Sequence, residues 1–142
     1  MPLAGFFTEE IRERRARVGF RIETFVGGRG VLAHVDLPGP PRVGKYGVDL
    51  EAFERLALPA LEPPATGATV IDELGKMELA SARFRDAVSA LLDAEVPLVA
   101  TVHAFRHPFT DELKRRPGVE LVRLTRANRD ELPDALAARL VA

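Results

Sequence analysis

Short apolar runs alternate with amphipathic segments through the second half of the chain. Three apolar runs predict strands, over residues 69–71, 97–102 and 119–124. After each of them, apolar residues recur at helical spacing and predict helices over 81–92, 110–116 and 131–141. Alternating strands and helices are typical of parallel strands joined by right-handed crossovers. This half of the chain therefore predicts an α/β fold.

The first half contains β-forming runs separated by glycine and proline. Residues 17–36 form two such runs around a glycine-rich turn at 27–30, which predicts a β-hairpin insertion. Glycine and proline interrupt residues 37–48, so we expect a flexible connector there. A helix is expected next, capped by Asp49 and bent near Pro59.

Composition narrows the class of protein. The 142 residues are 46% hydrophobic and 29% charged, as in a single globular domain over residues 1–142. No apolar run approaches the about 20 residues of a membrane span, and the chain has neither cysteine nor a leader pattern. We therefore expect a cytoplasmic protein without a membrane partner. The formal charge of −1 argues against a dedicated nucleic-acid binder but leaves a local basic patch open.

Two adjacent carboxylates, Asp72 and Glu73, end the apolar run that starts at Ala68. Ligands bind at the carboxyl ends of strands in open α/β sheets. Neighbouring side chains on a strand point to opposite faces, so one acid can hold Mg²⁺ while the other orients a water. Phosphoryl transfer needs such a pair. The alternative is that both acids are helix-capping or surface residues.

A phosphate-binding loop pattern, G-x-x-x-x-G-K, also occurs at residues 39–45. The segment is poorly suited to bind phosphate, because Tyr46 stands where a Ser or Thr is needed and because Pro40 and Pro41 have no N–H to donate. We therefore do not expect this segment to cradle phosphates.

Several motifs, taken in order, resemble a known family. They are Gly5-Phe6-x-Thr8-x-Glu10-Ile11-Arg12, Arg17-x-Gly19-Phe20-x-Ile22, Val43-Gly44-Lys45-Tyr46-Gly47-Val48-Asp49, Asp72-Glu73-Leu74-Gly75-Lys76-Met77-Glu78 and Leu124-Thr125-x-x-Asn128-Arg129-Asp130. Together they resemble the THEP-type nucleoside triphosphatases, also called cancer-related nucleoside triphosphatases. The resemblance implies a P-loop NTPase-like parallel sheet related to the RecA and AAA ATPases.

Family members open with a strand, a phosphate loop and a helix that precede the segment matching Gly5. The resemblance thus implies that these 142 residues lack the first strand, the phosphate loop and the first helix. Three explanations stay open. The start was assigned too far downstream, the chain has become a non-catalytic module, or another chain supplies the missing unit.

The resemblance also implies roles for the acidic motif. Asp72 is expected to hold the metal and Glu73 to act as the catalytic base. Lys76 is expected to place positive charge near the transferred phosphate. The alternative for Lys76 is a solvated lysine that pairs with Glu78.

Other residues are expected to contact the nucleotide. Thr101 and His103 end the next strand, where related ATPases place a γ-phosphate sensor, although a lone histidine is more often structural. Arg12, held by Glu10, is expected to contact phosphate; a surface ion pair is the alternative.

The base of the nucleotide is expected to lie against the region after the last predicted strand. Asn128 and Arg129 are the residues implied there, since an arginine can stack on any base. The alternative is that they form a helix-capping turn.

The function implied is Mg²⁺-dependent hydrolysis of ATP, GTP and other nucleoside triphosphates to the diphosphate and phosphate. Without a phosphate loop, the 142 residues are expected to be poorly active. The alternative function is a non-catalytic nucleotide-binding or protein-interaction module, and no particular protein partner is implied.

Overall fold

Residues 1–141 are described by the computed structural model, and their contacts divide into two compact units. Met1–His103 contains the β-sheet and two helices, and a second unit with two further helices begins at Ala104. The single domain predicted over residues 1–142 extends beyond the described residues and stays a prediction.

A seven-stranded mixed sheet forms the first unit, in the order β4-β5-β3-β2-β1-β6-β7. Its strands are β1 (Leu3–Glu13), β2 (Ala16–Thr24), β3 (Arg29–His34), β4 (Arg42–Val43), β5 (Tyr46–Val48), β6 (Ala68–Leu74) and β7 (Leu98–Val102). The helices of this unit are α1 (Leu50–Ala60) and α2 (Ala82–Asp93), and a short 3₁₀ turn spans Glu78–Ala80.

The parallel part of the sheet consists of β1, β6 and β7. Gly5 of β1 lies opposite Val70 of β6 with a φ of 99°. A Cβ at that position would lie 1.8 Å from the Val70 carbonyl oxygen, so only glycine allows this approach. The parallel pairing predicted for 69–71 and 97–102 is confirmed.

The rest of the sheet is antiparallel, which corrects the expectation of a parallel sheet with a β-hairpin insertion. β2 and β3 form the hairpin predicted within 17–36, but β2 also pairs with β1 and continues the same sheet. The expected connector at 37–48 contains β4 and β5, and Tyr46–Val48 is buried. Its glycines and prolines hid these strands because each strand is only two or three residues long.

An aromatic cluster packs both helices against the sheet. The rings of Phe6, Phe53 and Phe84 are fully buried and lie 5.1–5.7 Å apart, mostly edge to face. The Ser81 hydroxyl group connects the helices, since its oxygen accepts from the Phe84 N–H and so caps α2, while its O–H donates to Glu54 Oε2 at 2.6 Å. Asp49 caps α1 as predicted.

The second unit contains α3 (Pro108–Arg115) and α4 (Leu132–Val141), near the predicted helices. The strand predicted over 119–124 is wrong, because those residues form no strand and pair with none in the described part of the chain. An apolar run becomes a strand only where a neighbour supplies the ladder of hydrogen bonds. Among the described residues, no helix has the length and apolar character required to cross a bilayer.

Truncating the aromatic cluster is expected to destabilise the first unit. Phe84→Ala removes a buried ring that contacts both Phe6 and Phe53, so the free energy of unfolding should fall by about 3–5 kcal/mol. Urea unfolding followed by circular dichroism measures the change. Val26→Ala, at a side chain 72% exposed, is the control and should change stability by less than about 0.5 kcal/mol. Equal losses in both variants would contradict the packing described.

Candidate active site

Two carboxylates mark the carboxyl end of β6. The strand runs to Leu74, so Asp72 and Glu73 lie within the end of the strand rather than in the loop that follows it. Residues 68–71 are mostly buried, whereas both acids are exposed. The buried strand therefore delivers the pair to the edge of the sheet where α/β proteins bind ligands.

Thr101 of β7 contacts the first of these acids. Its Oγ1 donates a hydrogen bond of 2.7 Å to Asp72 Oδ1. The contact follows from the parallel pairing of β6 with β7, which brings the two carboxyl ends to one edge. The structure thus joins the predicted metal acid and one predicted sensor.

His103 lies directly after β7 and is buried. Its backbone N–H donates to the Leu74 carbonyl at 3.3 Å, which holds the end of β7 against the end of β6. This placement gives His103 a structural contact beside the acids, and its sensor role stays a prediction.

Glu73 and a second glutamate, Glu78, converge over Gly75. A Cβ on Gly75 would lie 3.0 Å from Glu73 Oε1 and 3.2 Å from Glu78 Oε1, so the glycine leaves room for both carboxylates. Burial, and to a smaller degree the charge of Asp72, raises the pKa of Glu73 above its ordinary value. The acid proposed to accept a proton therefore binds protons more readily than a fully solvated glutamate.

Glu78 begins the 3₁₀ turn and is only 4% exposed. Burial is the main cause that raises the pKa of Glu78 from 4.5 to about 8, with smaller contributions from Glu73 and Asp72. At neutral pH this carboxyl group holds its proton. Lys76 is exposed, as its sequence alternative of a solvated lysine requires, and its pairing with Glu78 stays a prediction.

Glu10 and Arg12 lie farther along β1 than the acid pair. Phe7 is the residue level with Asp72, and at about 3.4 Å per residue Arg12 is roughly 17 Å beyond it. Arg12 Nη1 contacts Glu10 Oε2 at 2.8 Å, and hydrogen bonds from Arg12 and Arg17 lower the pKa of Glu10. The structure therefore forms the surface ion pair but does not bring these residues to the acids.

Asn128 and Arg129 belong to the second unit, in a turn before α4. The Asn128 side chain accepts from the Thr125 N–H at 2.8 Å and donates to the Arg123 carbonyl at 2.9 Å. Arg129 is exposed, 3.9 Å from Asp130. Asn128 thus forms the capping turn foreseen as its alternative, and the contact of both residues with a base stays a prediction.

The G-x-x-x-x-G-K segment at 39–45 runs into β5 rather than into a helix. The Lys45 ammonium group lies 5.5 Å from the centre of the Tyr46 ring. A phosphate loop needs a following helix whose N–H groups face the anion. The geometry therefore agrees with the interpretation that this pattern is not a phosphate loop.

Comparison with known proteins identifies the family. A family model described as NTPase matches residues 1–137. The chain is 44% identical over 130 residues to nucleoside-triphosphatase THEP1 of Thermotoga petrophila, covering 90% of this chain and 73% of that protein. The chain belongs to the THEP1-type nucleoside-triphosphatase family. The resemblance inferred from its motifs is thereby confirmed.

Solved structures of this family have the same fold. The crystal structure of THEP1 from Aquifex aeolicus matches with a TM-score of 0.88 at 38% identity, over 99% of this chain and 84% of that one. The solution structure of a human cancer-related nucleoside triphosphatase matches with a TM-score of 0.79 at 37% identity, over 99% and 83% of the two chains. The mixed α/β architecture is therefore that of the THEP1-type family.

Glu78 is the site residue whose character the sequence did not reveal. Nothing in Asp72-Glu73-Leu74-Gly75-Lys76-Met77-Glu78 distinguishes a buried glutamate from a solvated one. Its burial arises from the packing of the 3₁₀ turn, which buries Glu78 together with Leu79.

Removing the buried carboxyl group is expected to stabilise the protein at alkaline pH. Folded Glu78, with its raised pKa, binds more protons than the unfolded chain between pH 4.5 and 8, so its contribution to stability falls as pH rises through that range. Glu78→Gln should match the parent near pH 4 and exceed it at pH 8 by on the order of 4 kcal/mol. Urea unfolding at both pH values measures the difference.

The exposed Glu62→Gln is the matched control for that measurement. It should leave the pH dependence of unfolding as in the parent protein. If Glu78→Gln shifts stability equally at pH 4 and pH 8, the carboxyl group is not held protonated by burial.

Proposed function

We propose that this protein hydrolyses nucleoside triphosphates, including ATP and GTP, to the diphosphate and phosphate in a Mg²⁺-dependent reaction. Membership of the THEP1-type family supports the reaction class. The location of the active site is supported by the hydrogen bond from Thr101 to Asp72, beside Glu73 at the carboxyl end of β6.

Asp72 is the residue proposed to hold the metal. Mg²⁺ prefers oxygen ligands and is commonly bound by one or two carboxylates, with waters and substrate phosphates completing its shell. Among residues 1–141 there is no group of three His, Cys, Asp or Glu side chains able to hold an ion, so the donor set suits a metal that arrives with the nucleotide. Bound there, Mg²⁺ would neutralise negative charge on the phosphates.

Thr101 is proposed to orient Asp72. Its hydroxyl group donates to Oδ1 and so fixes the direction of Oδ2. Because the Asp72 carboxylate is already oriented, less conformational entropy is lost when the phosphates bind.

Glu73 is proposed to accept the proton of the attacking water or to orient that water. Its raised pKa suits a base that works near neutral pH. Lys76, exposed on the loop just after β6, is proposed to stabilise charge on the transferred phosphate.

The cradle for the phosphates is proposed to come from outside the described residues. Within residues 1–141, no glycine-rich loop runs from a strand into a helix beside the acids. The phosphate contact proposed for Arg12 would need movement of the nucleotide or of β1, because of the distance along that strand.

Glu73→Gln is expected to lower kcat by a factor of about 100 or more while leaving the Kd for Mg–ATP within about threefold of the parent. The amide keeps the shape of the side chain but cannot accept the proton. Phosphate release measures kcat and calorimetry measures Kd. Both the 142-residue chain and the chain extended by its upstream reading frame should be assayed.

The matched control for that experiment is Glu62→Gln, at an exposed glutamate that follows α1 and is not part of the acid pair. It should change neither quantity. Unchanged turnover in Glu73→Gln would remove Glu73 from the mechanism. If neither length of the parent chain binds or hydrolyses Mg–ATP, the enzyme proposal fails and the non-catalytic module replaces it.

Thr101→Val is expected to raise the Mg²⁺ concentration needed for half-maximal activity by roughly threefold to tenfold, because Asp72 loses its orienting hydrogen bond. Thr101→Ser should restore the parent value, since serine keeps the hydroxyl group. Asp72→Asn should raise the Mg²⁺ concentration needed for half-maximal activity further than either Thr101 variant does. A Mg²⁺ titration of activity in the three variants measures the order, and a valine variant that matches the parent would contradict the orienting role.

A further inference from the structure

A cluster of arginines occupies the far end of the β1–β2 hairpin. Arg12, Arg14, Arg15 and Arg17 are all exposed and fall within a six-residue stretch. We call these four side chains the arginine tip. Beyond the residues of β2 that pair with β3, the hairpin continues as a two-stranded ribbon in which Arg12 lies opposite Arg17 and Glu13 opposite Ala16.

The turn of the arginine tip goes against a local preference of the backbone. Arg14 and Arg15 form the turn with φ values of 47° and 67°, a region that favours Asn and Gly in two-residue hairpins. Arg12 and Arg17 are directly opposed across the strands, but Glu10 offsets their repulsion, because its Oε2 and Oε1 accept from the two guanidinium groups at 2.8 and 3.3 Å. In residues 1–141 the Arg14 and Arg15 side chains make no hydrogen bond or ion pair, so their place in this turn brings no structural gain and points to a function for them.

Two of the arginines are already held in place. Arg12 donates to Glu10 and to the Arg15 carbonyl, both at 2.8 Å. The Arg17 guanidinium group lies over the rings of Phe20 and Tyr46 and donates to the Tyr46 hydroxyl at 2.9 Å. Both side chains nevertheless stay about half exposed, at 54% and 46%. The tip therefore presents ordered cations to the solvent.

We propose that the arginine tip binds the phosphate backbone of double-stranded DNA. A two-stranded β-ribbon has the width that fits the major groove. Planar guanidinium groups bind phosphate oxygens in pairs, which favours arginine at such contacts. Because the formal charge of −1 gives no chain-wide attraction for DNA, the proposed contact depends on this local cluster.

This surface is separate from the acid pair. Arg12 lies roughly 17 Å along the strand from the level of Asp72, and Arg14 and Arg15 lie farther still. DNA binding at the tip therefore does not depend on the hydrolysis proposed above. A duplex is favoured over an acidic protein segment because the four arginines lie on both strands and on the turn of a narrow ribbon rather than around a concave surface.

The test is binding of a fluorescein-labelled 20-base-pair DNA duplex, followed by anisotropy between 25 and 200 mM salt. The double variant R14N/R15G replaces the turn with the residues that favour it, so its thermal midpoint should rise by a few degrees. Its affinity for the duplex should fall on the order of tenfold or more at 50 mM salt. The slope of log affinity against log salt should become shallower by about 2, as two phosphate contacts are lost.

R55N/R83N is the matched control, since both arginines are exposed on helices. It removes the same charge and should bind the duplex like the parent. The proposal is overturned if the parent shows no duplex binding at 25 mM salt, or if R14N/R15G binds as tightly as the parent. It is also overturned if the two double variants lose affinity equally, or if poly-glutamate of equal charge competes as well as unlabelled duplex.

Discussion

The close approach of β1 to β6 at Gly5 is the constraint on which the rest of the first unit depends. The Val70 carbonyl oxygen occupies the space of a side chain at that position, so the two strands pair in parallel only because residue 5 is glycine. This pairing joins the antiparallel strands to the parallel ones. It also sets the level at which β6 ends relative to β1, and so separates the acid pair from the hairpin end.

The aromatic cluster and the capping residues fix what surrounds that pairing. Phe6 is carried by β1, Phe53 by α1 and Phe84 by α2, so one cluster holds three elements together. The first four residues of β6 are mostly buried, and the apolar area that they remove from water outweighs single hydrogen bonds. The strand can therefore end in two exposed carboxylates, one of them partly desolvated, without loss of the fold.

Much of the site could be predicted from local sequence. The parts that could not be predicted depend on how distant segments of the chain pack together. The run ending in Asp72 and Glu73 predicted an acidic strand end, and the parallel pairing that places Thr101 beside it follows from the alternation of strands and helices. Residues 119–124 have the composition of a strand but no ladder partner within residues 1–141, and composition alone does not show whether a partner strand exists. Burial of Glu78 depends on how a whole loop packs, so its raised pKa had no counterpart in the sequence.

The segment between β6 and α2 is tied down at both ends. His103 holds Leu74 at its start, and Ser81 is bonded to Glu54 at its end. Within it, the Leu79 and Ser81 N–H groups donate to the carbonyls of Gly75 and Glu78. Because these backbone groups are hydrogen-bonded, the segment keeps its position and does not open and close as a lid does. Any closing motion around a bound nucleotide must therefore be made by other parts of the molecule, against this stationary surface.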